Sequence, residues 1–244
     1  MQMLAGTSGY SFKEWLGHFY PEKLPASEML RYYAERLGTV EINNTFYRMP
    51  DPPMLERWRT EVPDSFAFTL KVRKSITHDK RLKEAGPDVA EFLRRAASLG
   101  DKLGALLFQL PPFLKKDLAR LRDFLAELPP ATRAAFEFRH DSWLDDEVYA
   151  LLRERGVMLC VADTDAGDTP FVVTSECAYV RLRRTHYADD ELRIWAERIA
   201  AQKVPLTYVY FMHEDEALGT RFALTLMKYW RELNQAAVEP GGSV

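Results

Sequence analysis

The chain has 244 residues, 47% hydrophobic and 28% charged, with 33 Lys plus Arg against 36 Asp plus Glu, a formal net charge of −3. These proportions exclude a collagen-like, coiled-coil or disordered chain. They also exclude a generally cationic nucleic-acid coat, but leave room for a local basic patch.

Short apolar, β-rich runs alternate with longer amphipathic ones. The β-rich runs fall at 3–7, 40–43, 66–72, 105–110, 134–139, 158–162, 178–183 and 207–211. Helical patterns lie between them at 27–36, 53–61, 87–98, 116–127, 145–155, 189–201 and 216–233. Ser27 reads as an N-cap, and Leu30, Tyr33, Ala34 and Leu37 share one helical face. Pro87 suits a first helical turn and Gly100 a helix stop. Asp145 and Asp146 suit the start of the fifth helix, and Gly156 its end. The segment 164–177 breaks the rhythm. Gly167, Pro170 and the β-branched Val172-Val173-Thr174 predict an irregular or hairpin excursion.

Eight strands alternating with helices in about 250 residues predict a single (β/α)8 TIM barrel, with the helix after strand six irregular or absent. No Ser/Gly/Pro-rich linker divides the chain, so one domain is expected over 1–238 with a loose tail at 239–244. The rival is an open doubly wound sheet. It would carry a Gly-rich phosphate turn after its first strand, and Gly6-Thr7-Ser8-Gly9 lacks the spacing. The first seven residues lack the basic and apolar regions of a secretory signal, and no run reaches the roughly 20 apolar residues of a membrane span. A cytoplasmic location without membrane partners is expected. Cys160 and Cys177 match no metal or redox spacing.

In such barrels the chemistry sits where strands end. With period two, one face of each strand points to the barrel axis. That face carries Glu41 and Asn43 on strand two, Lys71 on strand three, Gln109 on strand four, Glu137 and Arg139 on strand five, and Arg181 and Arg183 on strand seven. Strand six ends at Asp163 and strand eight at His213. Barrel interiors are mostly branched and apolar, and buried charges need partners. Two readings of this layer stand open: a self-satisfied salt-bridge network, or a polar pocket. As a pocket, it assigns Glu41, Glu137 and Asp163 to acid–base work. Asn43, Lys71, Gln109, Arg139, Arg181 and Arg183 would hold an anion and transition-state charge.

Aromatic residues crowd the same loops. Trp15, Tyr47 and Trp143 are candidates to stack on a base or sugar. There is no His-Glu-x-x-His and no Cys cluster. A divalent metal cofactor stays open, with His78, His186 and His213 as candidate ligands alongside the strand-end carboxylates.

Several segments resemble a known family. They are Gly6-Thr-Ser-Gly-Tyr-Ser-Phe-Lys-Glu-Trp15 with Phe19-Tyr-Pro21, then Thr39-Val-Glu-Ile-Asn-Asn-Thr-Phe-Tyr47, Phe68-Thr-Leu-Lys71 and Ile76-Thr-His78. Leu107-Phe-Gln-Leu-Pro-Pro112, Glu137-Phe-Arg-His140, Ser142-Trp143 and Asp163 follow in order. Together they resemble the family called domain of unknown function 72, or YecE-like. The resemblance implies a TIM barrel and delivers no function. Two departures stand out. The family pattern after strand seven resembles Arg-x-His-Gly; here Arg181 matches, but Arg183 and Arg184 stand in place of His and Gly. After strand eight the family tends to Phe-Asn-Asn, where this chain has Phe211-Met212-His213.

Three functional expectations follow. The first is a hydrolase acting on a phosphorylated or nucleotide-like ligand, with Glu137 or Glu41 as base. The second is a non-catalytic nucleic-acid or nucleotide binder, and the third a structural or partner-docking barrel. Oligomeric state is left open.

Overall fold

The computed structural model describes residues 1–212 and 215–236. Its strands are β1 (Gln2–Thr7), β2 (Thr39–Ile42), β3 (Ala67–Lys71), β4 (Leu103–Gln109), β5 (Ala134–Glu137), β6 (Met158–Thr164), β7 (Gly167–Asp168), β8 (Cys177–Leu182) and β9 (Leu206–Phe211). All but β7 pair in parallel in the order β1-β2-β3-β4-β5-β6-β8-β9, and β9 returns to β1. The sheet is therefore closed into the eight-stranded barrel that the strand rhythm predicts.

The helices are α1 (Met29–Ala34), α2 (Pro52–Glu61), α3 (Gly86–Ala96), α4 (Leu118–Glu127), α5 (Asp146–Glu154), α6 (Asp189–Ala201) and α7 (Leu218–Ala236). Local chemistry explains several ends. The Asp145 carboxylate accepts a hydrogen bond from the Glu147 amide at 3.0 Å and so caps α5. Gly156 then takes a φ of +62° just past its end. Ser27 is not the cap expected of it. It lies within a short 3-10 turn, Ala26–Glu28, that feeds α1.

No helix forms between β6 and β8. The chain turns at Asp165 and Ala166 and sends β7 back antiparallel to β6. Thr174 then ties the excursion down, accepting from the Leu159 amide at 2.8 Å and donating to the Val157 carbonyl at 2.7 Å. The tail expected at 239–244 lies outside the described residues.

Strand parity separates two apolar layers. Val40, Ile42, Phe68, Leu70, Phe108, Phe136, Val180 and Val209 pack outward against the helices. Ala105, Leu107, Ala135, Met158, Cys160, Tyr179, Tyr208 and Tyr210 fill the barrel. Both cysteines are free thiols. Gly6 has no room for a side chain, because a Cβ there would lie 1.9 Å from the Thr39 carbonyl oxygen. This close approach sets the β1–β2 junction just below the mouth.

Candidate functional site

Above the tyrosines, the barrel carries a charged layer. Arg181, 1% exposed, projects from β8 between β2 and β5. Its Nη2 donates to Glu41 Oε1 at 2.7 Å, and its Nη1 donates to Glu137 Oε2. The rest of each carboxylate is also occupied. Glu41 accepts from the Tyr179 hydroxyl at 2.6 Å, the Ser8 hydroxyl at 2.8 Å and Asn43 Nδ2 at 3.2 Å. Glu137 accepts from Gln109 Nε2 at 2.8 Å and Arg139 Nε at 3.0 Å. Arg183 Nη1 stands 4.0 Å from the same carboxylate.

These donors control ionisation. Burial alone would raise the Glu41 carboxyl, but Arg181 and the hydroxyls of Tyr179 and Ser8 outweigh it and hold it below its usual value. Burial acts the same way on Glu137, yet Arg181, Arg139 and Arg183 bring it down to about 2. Both groups are therefore anions near neutral pH, with their lone pairs engaged. That is a poor arrangement for a general base.

A cavity of about 550 Å³ opens on this layer at the C-terminal ends of the strands. Ser8, Asn43, Lys71, Gln109, Arg139, Arg181 and Arg183 reach it, while Glu41 and Glu137 lie beneath its surface. Four cations thus stand over two carboxylates, a surplus of two positive charges. Lys71 Nζ has no hydrogen bond or ion pair among the described residues. It sits 4.3 Å from the centroid of the Phe46 ring. Burial first, then Arg181 and Arg139, push its amine down to about 8, against the pull of Glu41 and Glu137. Two further polar atoms of the layer, Arg181 Nε and Asn43 Oδ1, are buried without a hydrogen-bond partner.

Among the described residues, the strand-end residues expected from sequence are brought together, except Asp163. Asp163 follows Ala162, which shares the inward parity of Cys160, so Asp163 points outward. It accepts from Arg184 Nε at 2.8 Å, the Tyr187 hydroxyl at 3.1 Å and Trp195 Nε1 at 3.2 Å. It is an anchor for α6, not an acid–base group of the mouth.

The aromatic candidates also divide. Trp15 is fully buried among Phe12, Phe19 and Tyr20. Trp143 is fully buried, stacked at 4.8 Å on Phe138, and donates from Nε1 to the Leu114 carbonyl at 2.7 Å. Neither can stack on a ligand. Tyr47 is exposed and lines the cavity.

His78 follows β3 in a single π-helical turn, Ser75–Asp79. Its Nδ1 shares a 2.9 Å hydrogen bond with Thr77, and its ring meets the edge of Phe46. His186 is exposed beside Phe222, which belongs to α7. His213 lies outside the described residues. Among the described residues no group of three or more His, Cys, Asp or Glu side chains is placed to hold a metal ion. Ser8 carries no signal in the sequence that marks it as part of the site. Ser8 sits one residue past β1 and has no charge to draw notice.

Residues 4–242 match the family described as Protein of unknown function DUF72. The chain belongs to this family. It is 33% identical over 141 residues to the UPF0759 protein YecE of Escherichia coli (strain K12), a match covering 55% of this chain and 52% of that protein. It is 28% identical over 149 residues to the UPF0759 protein YunF of Bacillus subtilis (strain 168), covering 55% of this chain and 51% of that one. The matched stretch thus spans about half the length of these curated relatives. A crystal structure of a DUF72 family protein from Thermotoga maritima MSB8 superposes with a TM-score of 0.79 at 28% identity, over 96% of this chain and 100% of that one. Family membership accounts for the barrel and names no ligand. Among the described residues no helix is long and apolar enough to cross a membrane.

Proposed function

We propose that the barrel mouth binds a small phosphorylated or otherwise anionic molecule of nucleotide-like size. The observation that carries this reading is the surplus of cations over carboxylates around the cavity, with Lys71 Nζ unengaged and Arg181 Nε unpartnered. A buried charge left uncompensated is costly, so cations in excess of carboxylates at the cavity wall favour an anion there. The cavity volume also falls within the roughly 300–1,000 Å³ of small-molecule sites. In this reading Glu41 and Glu137 aim and fix Arg181, while Lys71, Arg139 and Arg183 face the anion. A hydrolytic step through Glu41, Glu137 or Asp163 has little support, since the first two are fully engaged and the third faces α6. Stacking on nucleic acid would rest on Tyr47 alone.

Calorimetric titration with inorganic phosphate, then with nucleoside monophosphates, tests the reading. Binding should weaken as salt rises. In the Arg139→Ala/Arg183→Ala chain it should weaken on the order of tenfold, the loss of about 1.4 kcal/mol of charge-assisted contact. No heat and no rise in melting temperature with any of these anions would remove it.

A further inference from the structure

Lys71 closes β3 with its side chain on the inward parity shared by Ala67 and Thr69. A lysine there would ordinarily pair with the nearest carboxylate. Both nearby carboxylates are already committed, Glu41 to Arg181, Tyr179, Ser8 and Asn43, and Glu137 to Arg181, Gln109 and Arg139. The ammonium is left with the face of Phe46, which also meets His78. The charged groups that influence it are Arg181, Arg139, Glu41 and Glu137, and the balance, together with burial, disfavours its cation. A residue meant only to clamp phosphate is best as a full cation. An amine at about 8 is a free base in roughly a tenth of molecules at pH 7, on the order of a hundredfold more than an ordinary lysine. That is how buried lysines beside other cations become nucleophiles.

We propose that Lys71 is a nucleophile that forms an imine with the carbonyl carbon of an anionic aldehyde or ketone whose anion is held by Arg139, Arg181 and Arg183. The Nζ lone pair forms the C–N bond as the carbonyl π pair moves to oxygen and takes a proton. The resulting carbinolamine loses its oxygen as water, giving the protonated imine. One amine, one carbonyl and one solvent proton give one iminium ion and one water, with no change in oxidation state. This inference rests on reading the cavity as an anion site, and it narrows the ligand to anions that carry a carbonyl.

Pyridoxal 5′-phosphate, which joins an aldehyde to a phosphate, is a direct probe. The full chain is incubated with it at low concentration, reduced with borohydride, digested and mapped by mass spectrometry. Lys71 should label roughly tenfold or more faster than the other ten lysines of the chain. Its labelling rate should rise with pH to a plateau above about 8. Excess inorganic phosphate should suppress it, and pyridoxal without the phosphate should label it poorly. The Lys71→Arg chain should keep its melting temperature and lose only this peptide's label. Labelling spread evenly over the lysines would overturn the proposal, even if phosphate still binds and the anion site stands. Fast Lys71 labelling that phosphate does not suppress would uphold the nucleophile and overturn the anion reading.

Discussion

Arg181 Nη2 and Glu41 Oε1 meet at 2.7 Å with neither side chain more than 1% exposed. The two come from β8 and β2, which are not neighbours in the barrel, and the same guanidinium reaches Glu137 on β5. One side chain therefore ties three separated strands at the top of the barrel. Arg181→Met would leave two buried carboxylates without their shared cation, at a cost of about 3–5 kcal/mol. Urea unfolding should show it as a lower midpoint. Adding Glu41→Gln and Glu137→Gln to the same chain should recover part of the loss. An unchanged midpoint for the single variant would contradict the geometry.

Acid should dismantle the same network. Glu137 sits at about 2 in the folded chain against an ordinary 4.5. Its folded value is depressed, so its contribution is present above pH 4.5 and is lost as pH falls through about 2. Glu137→Gln should flatten the melting-temperature profile in that window. A profile as steep as that of the parent chain would show that other carboxylates carry the acid transition.

Lys71 has the opposite sign. Its amine titrates near 8 in the folded chain and at 10.5 when unfolded, so the native state is penalised for holding it charged. The penalty is full below pH 8 and is relieved as pH rises toward 10.5. Lys71→Met should therefore stabilise the protein at pH 7, with a smaller gain at pH 10. Destabilisation at pH 7 would mean that the amine has a partner that holds it charged.

The tryptophans and the tyrosine should separate cleanly. Trp143→Ala opens a cavity beside Phe138 and should cost about 3–5 kcal/mol by chemical denaturation. Tyr47→Ala touches an exposed ring and should stay within about 0.5 kcal/mol. Equal effects would place Tyr47 in the core or Trp143 at the surface.

How far the sequence could be read depends on which physical signal each residue carried. Alternation of apolar runs located all eight barrel strands, because a parallel strand must be apolar on its outward face to meet a helix. The same parity put Glu41, Lys71, Gln109, Glu137, Arg139, Arg181 and Arg183 at one mouth. Parity counted from Cys160 and Ala162 puts Asp163 on the outward face instead, although it too stands near a strand end. For Trp15 and Trp143 the sequence leaves stacking and burial both open, because a loop position says little about exposure, and the structure buries both. Each ring is buried among neighbouring aromatic side chains, Trp15 against Phe12, Phe19 and Tyr20 and Trp143 against Phe138. Ser27 failed as a cap because a 3-10 turn intervenes before α1. The state of Lys71 was beyond reach from sequence, since it depends on how completely the two glutamates are occupied by other donors.

The tyrosines inside the barrel have one more consequence. Tyr210 shares 2.7 Å hydrogen bonds with Thr39 and Thr69, Tyr179 packs beside it, and Tyr208 packs beside Tyr179. They fill the barrel interior beneath the charged layer and none of them lines the cavity, so a molecule seated at the mouth would rest on charged groups and not on the aromatic plug below them.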